Sequence, residues 1–354
     1  MISFPKVSIV QEDRFVVSTD WLAKNLLSED DYSTYKSGKF QNDTELQEYI
    51  KKYLTFNLDK LSVVIHVDNA NSEITNALQR ASTTEQNGYG LDVEYKDVTT
   101  NDENMNIVEL IKNIHLLPLR NGITKEESDT IELSINIKNT TNNVLAVSAG
   151  DMTIKGYKVK DHLFYNSTTL VYLNIGKSLT VNNIRIKEGN TEEDTRYLTA
   201  TNGSIFPLDR KKDSKTPHSK HLKHELTFKV NAVSKTEKSR DVTKRILMGG
   251  CDNLIERLQV ILQIVNEDNV LYTQKYDDAY ILKIEETNSI AKMLERICFN
   301  LYPDVEYITA EIIYDTKIMT LHIKGSDARN MLLTTIVTAI KIYENIKQQF
   351  KAYQ

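Results

Sequence analysis

The first alternation of apolar and polar positions lies at residues 5–17, where Val7 and Ile9, then Phe15, Val16 and Val17, predict a strand. Ser18-Thr19-Asp20 stand directly before Trp21-Leu22-Ala23, the arrangement of a capped helix start. Residues 28–60 are polar and mixed and read as an elaborated loop with one short helix over 46–53. The β-branched run Leu61-Ser62-Val63-Val64-Ile65-His66-Val67 predicts a buried strand. Behind it, Ser72 is placed to cap a helix whose Ile74, Ala77, Leu78 and Ala81 recur at helical spacing. Asn87-Gly88-Tyr89-Gly90 reads as the stop of that helix, 91–98 as a strand, and 105–117 as a second helix carrying Ile107, Val108, Leu110, Ile111 and Ile114.

From about 124 to 206 helical periodicity nearly vanishes. Short strands are predicted at 131–137, 144–147, 152–159, 170–175 and 179–186, separated by Asn-rich turns and by Gly150, Gly156, Gly176 and Gly189. A basic polar loop covers 207–224, followed by a strand at 225–233. A long helix is predicted over 239–265, with Gly249-Gly250 expected to break or kink it. The last stretch runs as a strand (280–285) and a helix capped by Ser289 and stopped by Pro303. Strands at 308–314 and 318–323 and a long amphipathic helix over 327–350 complete it. Strand, capped helix, strands and long helix thus occur twice, at 61–118 plus 225–265 and at 280–350, the first copy split by the β-rich stretch. The long apolar helices of the two copies are expected to pack on each other.

Composition narrows the class. At ~150 residues per domain, 354 residues allow two to three domains. With 44 basic and 49 acidic residues the net charge is −5, which argues against a free-standing binder of DNA or RNA phosphates. Twelve glycines and five prolines exclude collagen-like or Pro/Gly-rich disorder. Two cysteines, Cys251 and Cys298, give neither a disulfide framework nor a Cys-based zinc site. The segment MISFPKVSIVQEDR is not a signal peptide, and no apolar run reaches the ~20 residues of a membrane span, so a soluble intracellular protein is expected.

The tempting motifs dissolve on inspection. Gly176-Lys177-Ser178 looks like the end of a phosphate-binding loop, but Val171 occupies the required upstream glycine and the setting is strand, so a hairpin turn is expected. His218, His221 and His224 cluster in a Lys-rich loop without a cysteine, which reads as solvated surface rather than a metal centre. Glu192-Glu193-Asp194 and Glu285-Glu286 sit beside turns with nothing converging on them, and the basic loop lacks aromatics for base stacking. No catalytic constellation, cofactor site or metal site is visible.

Asn76-Ala77-Leu78-Gln79-Arg80 resembles the N-A-L-R-R element in the first helix of the alpha-type assembly subunits of RNA polymerase: bacterial alpha, archaeal D and the third-largest eukaryotic subunit. His115-Leu116-Leu117-Pro118-Leu119 is similar to that family's H-R-L-G-L-I-P-L segment, with the Arg-Leu-Gly portion lost. Residues 176–179 and Ile184-Arg185-Ile186-Lys187-Glu188-Gly189 resemble its insert-domain hairpin, although Asp194 and Arg196 replace the His and Lys found just beyond. The C-terminal copy resembles the partner subunit, the eleventh-largest eukaryotic or archaeal L type. Glu285-Glu286-Thr287-Asn288-Ser289-Ile290 stands at its E-D-H-T-L-G-N, and Leu294 with Asn300-Leu301-Tyr302-Pro303-Asp304-Val305-Glu306-Tyr307 at its L-L … N-P-x-V-x-F. Ile308-Thr309-Ala310-Glu311 stands where the family has Gly-Tyr and Pro-His residues. Both halves on one chain, over roughly 60–354, resemble the fused third/eleventh subunits of large cytoplasmic DNA viruses.

The resemblance implies an α+β fold of two alpha-type dimerisation modules forming an intramolecular pseudo-dimer. Residues 1–120 with 208–268 would be the first module, 121–207 a β-rich insert domain, and 269–354 the second module. It implies a non-catalytic assembly platform of a DNA-directed RNA polymerase, with Asn76, Ala77, Leu78, Arg80, Leu294, Ile297, Pro303, Ile336, Ile340 and Tyr343 at the dimerisation and assembly interface. Implied partners are the largest and second-largest subunits and a small tenth-subunit-like one, with no cofactor, nucleic-acid contact, membrane or small-molecule substrate. The expected location is the cytoplasm (viral factory or virion) for a virus and the nucleus for a cell. A structural scaffold with no polymerase role is the alternative; it would explain the β-rich stretch but not the order of the two modules.

Overall fold

The computed structural model describes residues 4–353 apart from 56, 159–161, 199, 209–221, 277 and 314–315, and apart from the side chains of 42, 202 and 313. The chain opens with β1 (Lys6–Phe15), and the Ser18 hydroxyl accepts from the Trp21 N–H to start α1 (Thr19–Leu26). α2 (Glu29–Lys36) and α3 (Thr44–Tyr49) follow, the latter running into a π turn at Ile50–Leu54, so the expected loop at 28–60 is largely helical. α2 buries none of its residues, which is why no apolar period announces it. Next come β2 (Leu58–Asp68), α4 (Ser72–Thr83), β3 (Asn87–Asp92), β4 (Val98–Thr100), α5 (Ile107–His115) and α6 (Lys125–Thr130). A run of strands succeeds them: β5 (Glu132–Lys138), β6 (Leu145–Ser148), β7 (Thr153–Lys155), β8 (Thr169–Leu173), β9 (Ser178–Asn190), β10 (Thr201–Pro207) and β11 (Lys223–Ser234). The chain closes with α7 (Ser239–Asn266), β12 (Thr273–Tyr276), β13 (Ala279–Glu285), α8 (Asn288–Leu301), β14 (Tyr307–Ile313), β15 (Ile318–Lys324) and α9 (Ala328–Ala352).

Two four-stranded antiparallel sheets have the same strand order. One runs β1-β2-β11-β10, the other β12-β13-β15-β14. In each, an outer strand leads to an inner one, then a helix, then the far outer strand, the second inner strand and a long helix. α4 and α7 lie against the first sheet, α8 and α9 against the second, and the four helices meet between the sheets. One continuous apolar core runs through both, from Leu61, Val63 and Ile65 of β2 through Leu78, Leu254, Leu294 and Ile336 to Phe350. Alternation of buried and half-buried positions along β2, and the helical stripe on α9, are what point these residues inward.

The extra length of the first copy sits in two connections. Between β1 and β2 lie α1–α3, with their own small core of Leu22, Ala23, Leu46, Ile50 and Leu54. Between α4 and β10 lies a β-rich unit, built on the sheet β3-β9-β5-β7 with β4 also paired to β9, beside the β6-β8 pair. Its core draws in Leu91, Val93, Val98, Leu110 and Ile114, all upstream of residue 121. β10, by contrast, pairs with β11 in the first sheet although it lies within the 121–207 stretch. The strand at 91–98 divides into β3 and β4, and Asn87-Gly88-Tyr89-Gly90 belongs to β3 rather than to a helix stop. Gly90 is required there because a Cβ would lie 2.8 Å from the Cγ and carbonyl oxygen of Arg196.

Local corrections follow the same logic. Ser72 and Ser289 are helical residues, and the caps are Asn71 and Thr287, neither making a side-chain cap bond. Of the basic loop, 209–221 lies outside the described residues, and its last two positions, Lys223 and His224, open β11. α7 runs through Gly249-Gly250 without interruption. The reason is packing: a Cβ on Gly250 would meet the Ser82 Oγ at 2.2 Å and the Ser82 backbone nitrogen at 2.9 Å, so the pair marks where α7 crosses α4. Gly250→Ala is therefore expected to destabilise by about 1–3 kcal/mol despite the better helix propensity of alanine. Urea denaturation checks this, and a stabilised variant would place the crossing elsewhere.

Candidate functional site

α4 and α8 run antiparallel, as their side-chain ties require. Ser289 at the start of α8 reaches Glu85 just past the end of α4, and Arg296 near the end of α8 pairs with Glu73 at the start of α4 at 3.1 Å. Asn300 Nδ2 donates to Asn71 Oδ1 at 2.9 Å one turn further on. Ala77, Leu78, Leu294, Ile297, Ile336 and Tyr343 are buried in the common core, and Ile340 packs half-buried against it. Tyr343 Oη donates to the Ile74 carbonyl at 3.1 Å, so a hydroxyl fully inside the seam has its partner on the opposite half. Burial holds that phenol well above its usual range. Asn76 and Arg80 are partly exposed, and Pro303 is exposed in the turn after α8.

Arg80 leads to a group of charges that the sequence did not reveal. Glu85 is 2 % exposed and accepts from Arg80 Nε, from Arg257 Nη1 at 3.0 Å, and from the Ser289 hydroxyl at 2.8 and 2.9 Å. Arg257, from α7, also pairs with Glu286 and donates to the Thr287 hydroxyl at 2.8 Å. α4, α7 and the start of α8 are thereby tied at one point. Burial pushes the Glu85 carboxyl up, but the Arg80 hydrogen bond and the Arg257 charge outweigh it, and the group ends below the usual carboxylate range. Arg257 pays no net penalty for its own burial, because Glu286 and Glu85 hold it above its ordinary value. The one sequence signal was Arg257 itself, a charge set within the apolar stripe of Leu254, Ile255 and Leu258. A cavity of about 630 Å³ opens on this junction, with Glu192 of the β9–β10 connection 3.7 Å from Arg80 on one side and Lys317, just before β15, on the other.

The acidic runs set aside in the sequence do not both stay solvated: Glu286 is drawn into the junction by Arg257, and Glu192 stands 3.7 Å from Arg80. Gly176, at φ +73°, turns the chain from β8 into β9, and Ser178 N–H donates to Asn101 Oδ1 at 2.7 Å, so the motif leads into a strand and not a helix. His218 and His221 lie outside the described residues, while His224, expected on a solvated loop, is instead a buried residue of β11. Among the described residues no three His, Cys, Asp or Glu side chains stand together as a metal site. Cys251 and Cys298 are buried in α7 and α8, and burial pushes both thiols up, away from the thiolate a metal ligand needs. Excess chelator is accordingly expected to leave the unfolding temperature unchanged. Stoichiometric zinc released on unfolding of the purified protein would overturn this.

No protein-family model matches the chain. It is, however, 21% identical over 322 residues to the DNA-directed RNA polymerase RPB3-11 homolog of African swine fever virus, isolate Tick/Malawi/Lil 20-1/1983. The similarity spans 83% of this chain and 87% of that protein. The chain resembles the fused third/eleventh subunits of large DNA viruses. The homologs of the isolates Pig/Kenya/KEN-50/1950 and Warthog/Namibia/Wart80/1980 are each 22% identical over 322 and 319 residues. Similarity of that extent is far longer than any single motif. Among the described residues no helix is long and apolar enough to cross a membrane.

Proposed function

We propose that the chain is an assembly subunit of a DNA-directed RNA polymerase, a non-catalytic platform that receives the second-largest and largest subunits and a small tenth-subunit-like one. In this reading the two matching sheets and their helices are alpha-type modules folded into an intramolecular pseudo-dimer, and the β-rich unit is an insert in the first. The observation that carries it is the repeated strand order of the two sheets, joined through α4, α7, α8 and α9 in one core. That architecture accompanies similarity to proteins named as RPB3-11 homologs over most of the chain.

Physical reasoning explains what fusion gives such a platform. Burying an apolar side chain of Leu or Ile size contributes ~1.5–3 kcal/mol, and the seam buries many. Joining the halves keeps them at high effective concentration, so their association carries little translational entropy cost. Arg80, at the junction of the two halves and the β-rich unit, is the partly exposed residue we assign to partner contact, with Asn76 on the same helix. We place the activity in the cytoplasm, where transcription by large cytoplasmic DNA viruses takes place, and assign the chain no contact with nucleic acid.

The test is affinity purification of the tagged full chain from cells that make its natural partners, followed by mass spectrometry. Co-purification of two very large polymerase subunits is the expected outcome. Recovery of the chain alone, or with structural proteins only, would overturn the platform reading in favour of a scaffold.

A further inference from the structure

Along the chain the β-rich unit is joined to α4 by residues 84–86 and to β10 by 191–200, and both connections leave from the same end of the β3–β9 pair. Such a mounting would act as a hinge. Elsewhere, however, the unit is tied down at the start of β2. Tyr53 Oη donates to Asp151 Oδ1 at 2.6 Å, with Lys52 Nζ on the same oxygen at 2.5 Å. Asn166 Nδ2 donates to the Lys52 carbonyl at 3.0 Å, and His162 N–H donates to Asn57 Oδ1 at 2.8 Å. Gly150 is needed beneath this contact, since a Cβ there would lie 2.9 Å from the Tyr53 ring. Lys52 and Tyr53 belong to the π turn that ends α3, a backbone form that is rare and needs a reason to persist.

A second attachment uses the bulge where β11 loses register with β2, between Val230 and Val233. Ala232 has φ +52°, a left-handed conformation that costs a non-glycine residue about 1 kcal/mol or more. Both of its peptide groups face the β-rich unit instead of the ladder. Its N–H donates to Tyr165 Oη at 2.9 Å, and its carbonyl accepts from Asn121 N–H at 2.9 Å. Tyr165 Oη in turn donates to the Asp59 carbonyl at 3.0 Å. Leu54, Leu58 and Ala232 share one small core with Leu22 and Ile50, and Tyr165 packs against it.

We propose that the helical connection between β1 and β2 is a strap that, together with the β11 bulge, holds the β-rich unit at one fixed angle to the first sheet: the strap grips Asp151 through Tyr53, and the bulge seats Tyr165. The strap explains why the connection between β1 and β2 is long and helical in the first copy, where only two residues separate β12 from β13 in the second. It stands independently of the polymerase reading, because every contact in it is internal to the chain. The unit and the first sheet then move as one body.

Spin labels on the full chain test this. Tyr172→Cys on β8 and Val260→Cys on α7 are exposed sites, and the two native cysteines are buried, so labelling is selective. A narrow distance distribution is expected for the parent. The pair Tyr53→Phe with Asp151→Asn should broaden it at least twofold, and Tyr165→Phe alone should broaden it less, with α-helical circular dichroism unchanged in both. Phe keeps the ring while removing the hydroxyl's bonds, and Asn keeps the shape of Asp151 while removing its charge, so the single variant remains readable if the double one folds poorly. A distribution already broad in the parent, or one left unchanged by Tyr165→Phe and by the double variant, would overturn the strap.

Discussion

Leu294→Asp is expected to cost at least about 5 kcal/mol and to leave little folded protein. The side chain is fully buried between the halves, so the substitution removes an apolar group worth about 2–5 kcal/mol and puts a carboxyl where no donor awaits it. Against a total stability of roughly 5–15 kcal/mol, that loss is decisive. Phe299→Asp serves as the control, since Phe299 lies on the same helix with 49 % of its surface exposed. Thermal unfolding followed by circular dichroism separates the two: an unfolding temperature within ~1 °C of the parent for Leu294→Asp would mean that α8 does not face the seam.

Glu85→Gln carries the second large effect and has a pH signature. Replacing the carboxylate leaves the mostly buried Arg257 and the partly exposed Arg80 facing a neutral amide, and removing the buried partner of such a pair costs about 3 kcal/mol. Because the folded-state carboxyl lies below its unfolded value, its contribution is fully present above the unfolded value of about 4.3. It is lost as the pH falls through the lower folded value. The parent should therefore lose stability below about pH 4.3 more steeply than the variant, while at pH 7 the variant is the weaker of the two. Urea midpoints measured at pH 7 and across the acid range check both parts. Parallel curves for the two proteins would show that the Glu85 carboxylate does not hold the junction.

Where apolar period and burial coincide, the elements were legible in advance. β2, α4, β11, α7, α8, β15 and α9 lie where Val63, Leu78, Leu254, Leu294 and Ile336 set the pattern. The misses have particular causes. β12 (Thr-Gln-Lys-Tyr) exposes three of its four residues and so carries no alternation to detect. Gly249-Gly250 has the composition of a break, but its role is set by Ser82 on a helix distant in sequence. Among the seam residues, the longer stripe on α9 named Ile340, whereas Ala339 and Ile342 are the fully buried neighbours, a rotation of less than a turn that periodicity alone does not resolve. Glu85 and Arg257 were hidden because a charge beside an apolar stripe reads as solvated until its partner from another element is known.

The interruption between α4 and β10 also has a bearing on synthesis. β2 ends at Asp68, and the strand that pairs along its second side, β11, begins only at Lys223. At ~5–20 residues per second the ribosome takes roughly ten to thirty seconds to deliver it. During that interval the β-rich unit can complete its own sheet, while Val63, Ile65 and Val67 of β2 await the helices and strand that will cover them. The second half has no such delay, because only α8 and β14 separate β13 from β15. The nascent chain is thus most vulnerable in its first half, for a time set by the length of the intervening unit rather than by the stability of the finished molecule.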